Sequence, residues 1–170
     1  MDRIVSNATP LIYLAKANQL QILQEVGFQV FIPQRVYHEV VTEGKRLGEE
    51  DAYLVDEAIK EGWVSVQEVK KLHPVQIPIH PGEREVISLA KELGISRVLM
   101  DDAKARKASE LLGLKPTGTL GIILRAVSMH KFTFERFLDI LEDMVQSGFY
   151  LKEEVYLKVV HEAHRLSASE

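Results

Sequence analysis

Five short apolar runs, each followed by a helix-forming stretch, constrain the fold of this chain more than any other feature. They are Arg3–Ser6, Gln29–Ile32, Trp63–Val66, Arg97–Met100 and Lys115–Thr117, the last the weakest of the set. Glycines at 27, 62, 94 and 113 close the helical stretches that lead into the second to fifth runs. Strands that alternate with helices read as βαβ units, and such units build a mainly parallel sheet. The punctuation agrees: Thr9 reads as a helix N-cap with Pro10 at the first helical position. Asn18 divides the first helical stretch into two short helices.

The second run is followed by a long helical region from Gln34 that breaks around Gly44 to Gly48 and resumes over Glu49–Lys60. Residues 70–80, with prolines at 74 and 78, read as an irregular loop. Helices are then expected from Pro81 to Gly94 and from Ala103 to Leu112, then over Leu120–His130, about 133–147 and about 153–166. A chain of 170 residues without an internal repeat fits one domain with a real core, spanning 1–170.

Composition removes several chemistries. With no cysteine there is no disulfide, no thiolate metal site and no cysteine nucleophile. A net charge of −4 argues against a surface coated in basic residues for nucleic acid, and suits a site that concentrates acids. No apolar run approaches the ~18 residues a membrane span needs. The opening MDRIVSN lacks a signal-peptide core, so the cytoplasm is the expected compartment.

The acids are placed where a parallel sheet puts its ligands. Val98–Met100 runs directly into Asp101 and Asp102, and a basic, alanine-rich helix follows. In open α/β sheets the crevice beyond the carboxyl ends of the strands receives the ligand. Asn7 follows the first strand, Glu39 stands on the helix after the second, and Glu83 opens the helix before the fourth. Each has an ordinary alternative. Asp102 can cap its helix, Asn7 can make an Asx-turn, Glu39 can pair with Arg35, and Glu83 can gain from the helix dipole. Taken together, the topology brings all of them to one edge. Carboxylates crowded there need a cation, and all-oxygen ligation selects Mg²⁺ or Mn²⁺ over zinc.

Lys104 and Arg106 follow the acidic pair and can reach phosphates as positioning contacts. His161-Glu162-Ala163-His164 has the wrong spacing for a zinc protease, and Gly118-x-x-Gly121 lacks the lysine of a P-loop.

Five segments, taken in order, resemble the PIN-domain family, in particular a prokaryotic branch related to VapC-type toxin ribonucleases. They are Val5–Ile12, Ile32–Val40, Pro81–Glu85, Leu99–Arg106 and Thr117–Gly121. The resemblance covers nearly the whole chain, with its core in about 1–125 and further helices in about 133–166. It implies a three-layer α/β/α fold with about five parallel strands in the order 3-2-1-4-5, and cleavage of single-stranded RNA dependent on Mg²⁺ or Mn²⁺. Carried over, Glu39, Glu83 and Asp102 would hold the metal with Asn7, Asp101 would support them, and Thr117 or Thr119 would bind phosphate. Asn7 departs from the family, which usually has Asp there. An amide still offers an oxygen but no charge, which implies weaker metal binding. The rival expectation is therefore a PIN-like module that binds RNA or protein without turnover. An antitoxin protein and a second copy of the chain are the partners the resemblance suggests. A phosphoryl-transfer domain would need a nucleophilic Asp after the first strand, and Asn7 cannot supply it.

Overall fold

The computed structural model describes residues 1–169. Its sheet has five strands, β1 (Asp2–Ser6), β2 (Phe28–Pro33), β3 (Val64–Gln67), β4 (Arg97–Leu99) and β5 (Lys115–Thr117), in the order β3-β2-β1-β4-β5. Every neighbouring pair is parallel. The inner strands are apolar on both faces: Ile4, Val5, Val30, Ile32, Val98 and Leu99 are fully buried, as expected of strands covered by helices on both sides.

The helices supply those two covers. On one face lie α6 (Pro81–Leu93) and α7 (Ala103–Leu111). On the other lie α1 (Ala8–Lys16), α2 (Ile22–Glu25) and α5 (Glu50–Glu61), joined by α8 (Thr119–Ser128), α9 (Phe134–Gln146) and α10 (Glu153–Ala168). The main core is continuous with the sheet. A second cluster, including Ile123, Phe137, Ile140, Met144 and Ala163, fastens α9 and α10 onto α8.

Local chemistry explains the boundaries. Asn18 has φ +56 and separates α1 from α2, a left-handed conformation that asparagine tolerates better than most residues. The first helix begins two residues earlier than its Thr-Pro signal suggests: Asn7 is the N-cap residue and Thr9 lies inside the helix. The region after β2 is α3 (Gln34–Tyr37), a single π-helical turn (His38–Thr42) and α4 (Glu43–Arg46). Gly44 thus lies within a helix where a break was expected. A β-carbon there would fall 2.6 Å from the Ala52 β-carbon, so glycine is needed for α4 to approach α5. Residues 70–80 are irregular but tied to α6: Glu92 accepts from the Lys71 N–H at 2.7 Å and Ser88 from the His73 N–H at 2.8 Å. No helix among the described residues is long and apolar enough to cross a membrane.

Candidate active site

The register of the sheet decides which residues meet. Ser6, Leu99 and Thr117 pair in one row, the last of β1, β4 and β5. The Asn7 N–H donates to the Leu99 carbonyl at 2.9 Å, and the Met100 N–H to the Thr117 carbonyl at 2.9 Å. Asn7, Asp101–Asp102 and Gly118–Thr119 therefore leave the sheet side by side at its carboxyl edge.

From the α6 side, the chain delivers Glu83 to the same edge. His80 is the N-cap of α6. Its Nδ1 accepts from the Gly82 N–H at 3.1 Å, and Glu83 Oε1 accepts from the His80 N–H at 2.9 Å. This reciprocal capping box fixes the Glu83 side chain where it is only 7% exposed. Asn7 faces it: a β-carbon on Gly82 would lie in ordinary contact with Asn7 Oδ1, at 3.7 Å, which places the amide against the start of α6. The Asn7 side chain makes no cap hydrogen bond and keeps its oxygen available.

Burial is the main cause that pushes the Glu83 carboxyl above the usual carboxylate range, and the charges of Asp102 and Glu39 push it further. Both acids thus stand near enough for Glu83 to feel them. Glu39 is exposed on the π-helical turn. Its expected partner Arg35 is elsewhere: the Arg35 guanidinium bonds Glu85, fifty residues away in sequence. Glu39 has no salt bridge among the described residues.

Asp102 takes the capping role open to it, with Oδ1 accepting from the Ala105 N–H at 3.0 Å. One such bond leaves its second oxygen outward, so capping and ligation are compatible. Asp101 behaves differently. It is turned to the β5–α8 junction, where the Thr119 N–H and hydroxyl donate to it at 2.8 and 2.6 Å. Burial pushes its carboxyl up, against the lowering pull of Thr119 and of Arg106. A β-carbon on Gly118 would lie 2.9 Å from Asp101 Oδ1 and 3.1 Å from Arg106 Nη1, so this turn has no space for a side chain.

These positions sort the expected site residues. Asn7, Glu83 and Asp102 come to the carboxyl edge of the sheet, and Glu39 stands near enough for its charge to act on Glu83. Asp101 sits beside them, committed to Thr119. Thr119 is fully buried with its hydroxyl on Asp101, so it orders the turn where phosphate binding was expected, and Thr117 is the threonine that lines open space. Lys104 is exposed on α7, and Arg106 lies across the Asp101 turn. The residue missed from sequence is His80. Its signal was the His-Pro-x-Glu spacing of a capping box, hidden because histidine is not a usual cap.

A parallel α/β sheet in this strand order, with acids and an amide gathered at its carboxyl edge, defines the nuclease-like PIN class of fold. The family comparison agrees: the PIN-domain model matches residues 3–165, and the chain belongs to the PIN-domain family. Among curated protein sequences none matches the chain. Of solved structures, it is similar to a domain of a functionally unknown protein from Methanocaldococcus jannaschii DSM 2661. That likeness has 16% identity, a TM-score of 0.46, and covers 69% of this chain and 91% of the other.

PIN domains typically use divalent metals. Among the described residues no three acid or histidine side chains are already drawn together as a ligand group. The donors nonetheless suit a hard cation. All are oxygens, Asn7 Oδ1 is uncommitted to capping, and buried Glu83 lies under the charge of two further acids.

Proposed function

We propose that this chain is a PIN-type ribonuclease that cuts single-stranded RNA with Mg²⁺ or Mn²⁺. The observation that carries this reading is the meeting of Asn7, Glu83 and Asp102 at the carboxyl edge, fixed by the Asn7–Leu99 backbone bond and the His80 capping box. Asp102, Glu83 and Glu39 would hold the ion, with Asn7 adding a neutral oxygen. A bound divalent cation supplies an activated water and neutralises charge on the phosphodiester oxygens.

The rest is work for the chain itself. His80 holds Glu83 in place, Asp102 keeps one oxygen directed outward while the other caps α7, and the exposed Lys104 attracts the RNA backbone. The same reading carries an antitoxin partner, self-association and a cytoplasmic site of action.

A second reading has a specific observation behind it. Asn7 brings no charge, and Glu83 and Asp102 each spend an oxygen on a helix start. On that reading the fold binds RNA or a protein without cutting. Cleavage of a mixed single-stranded RNA pool in Mn²⁺ separates the two. The nuclease reading expects cleavage that is lost in EDTA and in Asp102→Asn, and enhanced in Asn7→Asp. Absence of cleavage and of Mn²⁺ binding, in wild type and in Asn7→Asp alike, overturns it.

A further inference from the structure

We propose that the groove between the β5–α8 turn and the α9–α10 connection seats a nucleobase of single-stranded RNA, next to the candidate cleavage site. The inference rests on the RNA-binding part of the reading above.

The groove encloses about 800 Å³, within the range of pockets that hold small ligands. Asp101, Asp102 and Arg106 line it together with Tyr150 and Lys152. It shares Asp102 with the acids at the sheet edge. Its floor is kept low by glycine: a β-carbon on Gly121 would fall 2.8 Å from the Thr117 methyl, and Gly118 has no room for one either.

The wall that carries Tyr150 is anchored, although it belongs to a connection between helices. Tyr13 donates its hydroxyl to the Gly148 carbonyl at 3.3 Å and meets the Phe149 ring edge-to-face at 5.3 Å. Tyr13 lies on α1, the helix that Asn7 starts, so this wall and Asn7 share one support. Phe149 is spent on this anchoring and is 8% exposed. Tyr150, its neighbour, is not spent: it is 81% exposed and still lines the groove.

An open aromatic ring with a lysine in the same groove has the elements used to hold single strands. Bases stack on the ring while Lys or Arg takes the backbone, and the stacking tolerates any base. Arg106 and Lys152 both line the groove, and Arg106 already faces Asp101, so Lys152 is the cation left to take a phosphate beside a base stacked on Tyr150.

The test uses the intact protein in EDTA, so that binding is read without cleavage. The probes are short fluorescein-labelled oligouridylate and oligoadenylate, followed by anisotropy, with Tyr150→Ala and Lys152→Ala as variants. Tyr150→Ala should weaken both probes by about tenfold. Lys152→Ala should weaken both and reduce the slope of log affinity against log salt by about one. Thiouridine-substituted RNA should crosslink to the segment that carries Tyr150.

Equal affinity of wild type and Tyr150→Ala overturns the proposal, as does failure of wild type to bind either probe. A change in sedimentation of Tyr150→Ala without a change in RNA affinity makes the groove a protein-binding surface, and also overturns it. The outcomes separate this proposal from the nuclease reading. RNA bound through Tyr150 by an enzyme that never cuts sinks the nuclease and leaves the groove. Metal-dependent cleavage indifferent to Tyr150 in both affinity and KM sinks the groove alone.

Discussion

Two regions of the molecule gather acidic side chains, and they treat them in opposite ways. On α5, Asp56 receives the ammonium groups of Lys45 at 2.5 Å and Lys60 at 3.3 Å. The Lys45 hydrogen bond, foremost, holds the Asp56 carboxyl below its usual range. At the carboxyl edge of the sheet, Glu83 is buried with no salt bridge among the described residues; burial, Asp102 and Glu39 raise its carboxyl against the lowering pull of His80. Arg35, which could have neutralised Glu39, bonds Glu85 instead. Asp56 is thus neutralised by two lysines, whereas the acids at the carboxyl edge, where a parallel sheet receives its ligand, are held without an ion pair among the described residues.

The sharpest way to break this contrast is Asp102→Asn. Asparagine caps helices as well as aspartate, so the start of α7 survives while one charge leaves. Metal-dependent cleavage should drop below detection with the melting temperature nearly unchanged. Equal cleavage by the variant would put the catalytic acids elsewhere.

Next in size is Thr119→Val, which probes a third treatment of an acid. Asp101 is satisfied by hydrogen bonds from Thr119, and removing the hydroxyl from a buried charged acceptor costs about 1.5–3 kcal/mol. Urea denaturation should register that loss.

Glu83→Gln should do the reverse and raise the melting temperature in EDTA at neutral pH, because the amide oxygen can still accept from His80 without the buried charge. The Glu83 carboxyl is raised in the folded protein, so its burial is tolerated while it is protonated. Stability is lost as the pH climbs above the ordinary Glu value. The advantage of the variant should therefore vanish in acid. In millimolar Mn²⁺, wild type should gain more thermal stability than Glu83→Gln, since only a ligand bound by the native state stabilises it.

The smallest effect belongs to Asp56→Asn, because Lys60 is largely in water and Lys45 partly so. A melting temperature lower by about 1–3 °C is expected, with cleavage intact. The Asp56 carboxyl is lowered on folding, so its contribution is present above the ordinary Asp value and fades as pH falls through the folded one. A large loss of cleavage in this variant would dissolve the distinction between the two regions.

Much of the fold was legible in the sequence because it rests on short-range patterns. The apolar runs located the five strands to within a residue or two, and Asn18 and the glycines marked true helix ends. The gathering of the acids followed from topology, since strand ends in a parallel sheet point one way. What was hidden depends on distant partners. Glu85 taking Arg35 and Thr119 taking Asp101 are pairings across 50 and 18 residues, while Gly44 against Ala52 is near in sequence but shows only once α4 has folded onto α5. His80 escaped for a chemical reason, a ring nitrogen acting where an oxygen is customary.

The π-helical turn at His38–Thr42 accommodates one residue more than an α-helical turn would, while Val40 and Val41 stay buried and Glu39 stays open. Each residue advances an α-helix by about 100°. Loss of a single codon in this turn would therefore swing everything after it by more than a quarter of a revolution. It would force a choice between seating the valines and presenting the glutamate. Reading-frame-preserving deletions here should be more damaging than most substitutions.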